Sequence, residues 1–279
     1  MPRLLLHSCC APCSLEPTRL LKEQGLGFEL WYGNDNIHPE GEFRARLGAL
    51  KAYAEAEQIP LTVPVHDPLR WQAAIAGLAG VYPLIDGADD YAHNLAAKKA
   101  RCRACYHQRF AGLASAARAG GFTAISTTLS ISPWQFTGLI EEEIERAAAA
   151  YQLEAGFVDW REHYARGQER ARELGIYRQN YCGCAYSQQE AELERAAARE
   201  RRRQKKAERQ ASRGQLADGR QASRGQLADG RQASSGQPAE RQASNGQPAE
   251  QPAAPAPGTS PASCQPVSSD QPAERQASR

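Results

Sequence analysis

Seven of the eight cysteines in this chain fall into three tight groups: Cys9, Cys10 and Cys13; Cys102 and Cys105; Cys182 and Cys184. The eighth, Cys264, stands alone in a repetitive tail. Grouped thiols serve as staples in oxidising compartments, and as metal ligands or redox groups where thiols stay reduced. The only apolar run near the start is Leu4 to Leu6, too short for the core of a signal peptide or a membrane span. A cytoplasmic protein without a membrane segment is therefore expected, and with it metal or redox chemistry.

Spacing separates the metals. Structural zinc favours thiolates two to four residues apart, so that one loop wraps a tetrahedron. Cys102-Arg-Ala-Cys105 obeys that rule, and on a helix the two thiols share a face. Adjacent Cys9 and Cys10 do not, because neighbouring side chains on extended backbone diverge. They suit a larger object such as an iron–sulfur cluster, commonly held by four thiolates, or two separate centres. Lys98, Lys99, Arg101, Arg103 and Arg109 surround the second group. Their charge lowers thiol pKa and offsets that of a thiolate-bound cluster. Cys182-Gly-Cys184 is too tight to chelate one metal easily. It suits a strained, redox-active disulfide, or ligation of a second metal, with Cys13 as a further ligand.

These thiols need a scaffold. Leu4 to Leu6 reads as a buried strand that Pro12 stops from continuing, so the first thiols sit where a strand ends. Helix follows from Leu15 to Gln24, with Gly25 and Gly27 as stop signals. Strands are expected at Phe28–Tyr32, Leu61–Val65, Phe122–Thr127 and, shorter, at Phe157–Val158. Helices are expected over Glu40–Gln58, from Leu69, over Tyr91–Ala119, from Ser132 as cap with Pro133 in first position, and up to Leu174. Alternation of strand and helix argues for an α/β fold, a parallel Rossmann-like sheet covered on both faces. Ligands of such sheets bind beyond the carboxyl ends of the strands. Cys9, Cys10, the stretch Asn34 to His38, Asp67, Ser130 and Asp159 all fall at such ends.

The foldable part spans about residues 1–190, an ordinary size for one domain. It is slightly acidic. Residues 191–209 carry eight basic and four acidic side chains, a basic helix suited to a polyanion. From residue 210 an eleven-residue unit repeats, rich in Gly and Ser and later Pro, with little to bury. It reads as a disordered low-complexity tail.

The motifs together carry a resemblance. Leu5-Leu-His-Ser-Cys-Cys-Ala-Pro-Cys13, Asn36-Ile-His-Pro39, Cys102-x-x-Cys105, Thr127-Thr-Leu-Ser-Ile-Ser-Pro133 and Tyr177-Arg-Gln-Asn-Tyr-Cys-Gly-Cys184 resemble the epoxyqueuosine reductases of the QueH type. The likeness covers roughly residues 3–187 in order. Asp35 stands where the pattern has Pro, and Trp134 and Gln135 lie where relatives vary. The resemblance implies a Rossmann-like, HUP-like core and an iron–sulfur enzyme for the last step of queuosine formation in tRNA. It implies a 4Fe-4S cluster on Cys9, Cys10, Cys102 and Cys105, and a redox role for Cys182 and Cys184. A second mononuclear iron and an unidentified electron donor complete the expectation.

Candidate roles follow from that chemistry. Asp67, His38 and Asp159 are candidate proton donors. Asn36, His38, Lys98, Lys99, Arg101 and Arg178 are candidate contacts to substrate, the basic ones to anticodon-stem phosphates. Trp31, Tyr32 and Trp134 offer rings for a splayed base. Two alternatives stand beside this reading. An ATP-dependent tRNA-modifying sulfurtransferase would need a glycine-rich phosphate loop after the first strand, where this chain has Ser8-Cys-Cys-Ala-Pro12. A non-catalytic zinc module that binds RNA would need only the thiols.

Overall fold

The computed structural model describes residues 3–229, with side chains as far as residue 213. Leu4, Leu5 and Leu6 are buried and form β1 (Leu4–His7) at the centre of a five-stranded sheet. β2 (Phe28–Trp31) and β4 (Ala124–Thr127) flank it, both parallel, with Leu6 opposite Leu30 on one side and Ser126 on the other. β3 (Leu61–Thr62) and β5 (Glu154–Ala155) are short edges, so the order is β3-β2-β1-β4-β5, all parallel. That is the order of a doubly wound, Rossmann-like sheet. β1 and β4 are buried along their length, as strands of a sheet covered on both faces are.

Seven helices complete the described residues. α1 (Ala11–Glu23), α2 (Glu40–Ala56) and α3 (Pro68–Ala74) follow the first three strands. α4 (Tyr91–Ala119) crosses over to β4, then come α5 (Thr137–Ala150), α6 (Tyr164–Glu173) and α7 (Ala185–Asp229). α1 packs on α6 and α4 on α5. Leu15, Leu30, Phe110, Leu113, Ile125, Ile140 and Ile144 interlock in one core. Truncating any of these to Ala would cost about 2–5 kcal/mol.

Four boundaries differ from expectation. α1 begins at Ala11, not Leu15, because a proline in the first turn leaves vacant only an N–H that had no helical partner. Cys13 is thereby in the helix. The last strand pairs at Glu154–Ala155, ahead of Phe157–Val158. Ser132 and Pro133 form a turn instead of a helix start. Gln135 N–H donates to the Ser132 carbonyl at 3.2 Å and α5 starts at Thr137, since the φ of Pro fits the second position of a turn equally well. Helix α7 does not stop at 209 but continues through the first repeat to Asp229. Gln, Ala, Leu and Arg in that repeat are good helix formers. The rest of the expected disordered tail, and Cys264, lie outside the described residues.

Candidate functional site

In a sheet of this order the chain leaves β1 and β4 in opposite directions, and the crevice between their carboxyl ends is where ligands sit. His7 ends β1 and Thr127 ends β4. His7 Nδ1 donates to Thr127 Oγ1 at 2.8 Å, while Nε2 accepts from Arg109 Nη2 at 3.1 Å. Burial, then the Arg109 charge, hold the imidazole down to about 3, so it stays neutral. Arg109, buried on α4, also donates to Asn34 Oδ1 at 2.6 Å, and Asn34 Nδ2 donates to the Ser8 carbonyl at 2.9 Å. This network fixes the backbone that presents Cys9 and Cys10.

The sulfurs of Cys9, Cys10 and Cys13 lie within 4.8 Å of one another, and all three residues are buried. Cys9 and Cys10 do not diverge. Cys10 is fully extended, at φ −177° and ψ 165°, yet the two sulfurs are 3.8 Å apart. The chain turns from strand into helix there, and α1 brings Cys13 under both. Hydrogen bonding to Cys10 pushes the Cys9 thiol up to about 12. Cys10 itself is held well below the usual thiol range. Burial opposes this, but hydrogen bonds from Cys13 and Cys9 and the charge of Arg46 outweigh it. Cys13 is pushed up mainly by its bond to Cys10. Among the described residues no other three His, Cys, Asp or Glu side chains converge so closely.

The remaining four thiols form a second neighbourhood. Cys105 and Cys184 pack in one apolar cluster with Trp71 and Ile75. Burial, then the charges of Cys182 and Cys105, raise Cys102, and burial and Cys182 raise Cys184 to about 12. Cys182 Sγ lies 3.8 Å from Gln135 Oε1, which also accepts from Tyr106 Oη at 2.7 Å. Arg109 lies within electrostatic reach of Cys105, Cys182 and Cys9, so it would favour the thiolate form of each. Cys102 packs against the core cluster that contains Cys9, Cys10 and Cys13, whereas Cys105 lies with Cys184.

The segment from Tyr177 to Cys184 closes over both. Gln179 Nε2 is 2.8 Å from Cys10 Sγ. Arg46, buried on α2, donates to the carbonyls of Cys182 at 2.9 Å and Tyr181 at 3.1 Å, with Nε on Glu42 at 2.6 Å. Gly183 adopts φ +138°, and a Cβ there would stand 3.1–3.2 Å from Ile37, Arg46 and Asn36. His38 N–H donates to the Gly183 carbonyl at 2.8 Å. Cys-Gly-Cys therefore needs its glycine. The sequence reading gives Arg46, Gln179 and Gln135 no role, although it does place Arg109 beside the thiols. Arg46 is one of many helical arginines, and nothing local marks it.

The other candidates scatter. Asp67 caps α3, accepting from Arg70 N–H at 3.2 Å, and donates its own N–H to Asp35 at 3.0 Å. Asp159 is tied to Arg161 on the surface, and that pairing holds its carboxyl low. Arg101 is buried on Glu190 and also donates to the Gly80 carbonyl, while Lys98 meets Glu190 and Glu194. Neither is free to meet a phosphate: both anchor α7 to α4. Arg103 is likewise paired with Glu142 and Glu143. Lys99 is exposed beside the Phe136 ring, Arg178 is exposed and donates to Gln168, and His38 is exposed next to buried Asn36. Trp31 and Tyr32 are core residues, whereas Trp134 is 81% exposed, next to Gln135. Beyond Arg109 opens a cavity of about 260 Å³ lined by Trp31, Asp35, Arg70 and Gln108.

Residues 4–190 match the family model described as epoxyqueuosine reductase QueH. The chain is 32% identical over 188 residues to a protein of Acinetobacter baylyi named epoxyqueuosine reductase QueH, covering 66% of this chain and 80% of that one. A protein of the same name from Dehalococcoides mccartyi is 31% identical over 190 residues, covering 68% and 94%. One from Thermotoga maritima is 28% identical over 221 residues and is covered along its whole length.

Proposed function

This chain belongs to the epoxyqueuosine reductase QueH family, and from that we propose that it reduces the epoxide of epoxyqueuosine in tRNA to the alkene of queuosine. The observation that carries the reading is the convergence of Cys9, Cys10 and Cys13 at the end of the central strand, where the sheet order reverses.

The residues fit a thiolate-held metal centre. The donors are all sulfur, they are buried, and Arg46 and Arg109 stand close enough to offset the negative charge of a cluster. Cys9 and Cys10, with Cys102 and Cys105 from α4, would hold a 4Fe-4S cluster. Cys13 and Asp67 remain for a second iron or for catalysis. When bound, such a centre delivers electrons singly and, at an open iron, acts as a Lewis acid on an oxygen.

Deoxygenation of an epoxide to an alkene consumes two electrons and two protons and releases water. The electrons come from an external donor. Cys182 and Cys184, held beside the centre by Arg46, suit the storage of both electrons as a dithiol that closes to a disulfide. Burial keeps Cys184 protonated, so the dithiol also carries protons. Neutral His7 and Arg109 orient the crevice and hold its walls. The cavity beyond Arg109, about 260 Å³, lies near the lower end of the roughly 300–1,000 Å³ of ligand pockets. Exposed Lys99, Arg178 and Trp134 are left to meet tRNA backbone and a splayed base.

Anaerobic purification followed by iron, sulfide and zinc analysis tests this. Iron at least equal to sulfide, with broad absorbance near 400 nm, is expected. Stoichiometric zinc without sulfide would favour the RNA-binding zinc module instead.

A further inference from the structure

Gln179 is out of place as a surface amide. Its Nε2 lies 2.8 Å from Cys10 Sγ, and its Oε1 is buried with no hydrogen-bond partner. The amide is thus committed to a sulfur. The loop that carries it is tied down one turn later: Arg46 grips the Tyr181 and Cys182 carbonyls, and its guanidinium lies 5.2 Å over the Tyr181 ring. Tyr181 Oη in turn donates to the His38 carbonyl at 2.5 Å, and Tyr177 Oη to Glu42, the carboxylate that holds Arg46. Five contacts thus hold the chain on either side of Gln179, and the amide itself meets Cys10 Sγ.

Reduction of a thiolate-held centre adds an electron and makes its sulfurs more negative. A donor aimed at one of those sulfurs stabilises the reduced state more than the oxidised one, so it raises the reduction potential. We propose that Gln179 is the hydrogen-bond donor to the Cys10 sulfur that sets the reduction potential of the metal centre, and that Arg46 is the positioning residue that holds it there. The inference rests on the thiolate-cluster reading above. It assigns no part in assembling the centre to either residue.

The test is a potentiometric titration of the full-chain protein with its iron centre in place, followed by visible absorbance and electron paramagnetic resonance. Gln179→Leu should keep the iron and sulfide content of the wild type. Its oxidised-to-reduced equilibrium should shift about tenfold toward the oxidised form, which is a fall of about 59 mV for one electron. Gln179→Glu, which replaces the donor by a carboxylate, should fall further. Arg46→Lys keeps the charge but loses the two-carbonyl grip, so it should fall in the same direction. The double variant Gln179→Leu/Arg46→Lys should fall no further than Gln179→Leu alone, because one acts through the other. A merely structural role for Gln179 predicts neither the order Gln, Leu, Glu nor the non-additivity. An unchanged potential in Gln179→Leu, or loss of the centre in that variant alone, would overturn the proposal. A wild-type protein without an iron–sulfur centre would remove the cluster reading itself, and that is visible before any variant is made.

Discussion

Arg101 and Glu190 meet at 2.8 Å with their side chains 2% and 1% exposed, a buried ion pair that joins α4 to α7. Glu190 also accepts from the Tyr82 N–H at 2.9 Å and faces Lys98 at 3.2 Å. Removing one partner of a buried pair leaves the other charge uncompensated, which costs about 3–5 kcal/mol. Glu190→Gln should therefore lower the melting temperature by roughly 6 °C or more at about 2–4 °C per kcal/mol for a domain of this size. Thermal denaturation followed by circular dichroism checks it. An unchanged melting temperature would mean the pair is dispensable and Arg101 is available for another partner.

The ligand set is open to direct test. Cys9→Ser, Cys10→Ser, Cys102→Ser and Cys105→Ser should each abolish the absorbance near 400 nm in anaerobic protein. Cys13→Ser separates two arrangements, since Cys13 lies within 4.8 Å of Cys9 and Cys10. If it reports only on catalysis or a second iron, the variant keeps cluster sulfide. Full iron and sulfide in all of the first four variants would refute the assignment.

Gly183 carries a third prediction. Its φ of +138° is a region that only glycine adopts without strain of about 1–3 kcal/mol, and an added methyl would press on Arg46 and Asn36. Gly183→Ala should keep the cluster but displace Cys182 and Cys184, so that reduction of the epoxide falls while absorbance stays. Equal turnover in the variant, measured on nucleosides from treated tRNA, would show that the loop tolerates the shift.

The repeats predict little contact with the core. Deleting residues 214–279 should leave melting temperature and iron content as they are in the full chain. A drop of several degrees would show that the tail packs against the folded unit.

Much of the architecture was legible because it rests on local rules. Leu4 to Leu6 could only be a buried strand, Gly25 at φ +69° stops α1 as expected, and strand–helix alternation gave the parallel sheet. Cys102 and Cys105 fell on one helix as their spacing demands. What escaped depends on contacts far apart in sequence. Arg101 reads as a phosphate ligand until Glu190 is seen 89 residues away. Asp67 reads as an acid, with no sign that its N–H donates to Asp35, 32 residues away. The convergence of Cys9 with Cys10 was misjudged because extended backbone was extrapolated through the point where the chain turns into α1. Gln179 and Arg46 carry no local signature, because their partners are a sulfur 169 residues away and two carbonyls about 135 residues away.

The central claim is that this chain reduces epoxyqueuosine through its thiols, and one assay addresses it. Transfer RNA carrying epoxyqueuosine is incubated anaerobically with the iron-loaded protein and a chemical reductant, and its nucleosides are analysed by mass spectrometry. The account predicts a loss of one oxygen, giving queuosine, with wild-type protein. It predicts unchanged epoxyqueuosine with Cys182→Ser or Cys184→Ser, although both variants keep the cluster and the fold. Unchanged epoxyqueuosine with fully loaded wild-type protein, or wild-type rates in both cysteine variants, would contradict it.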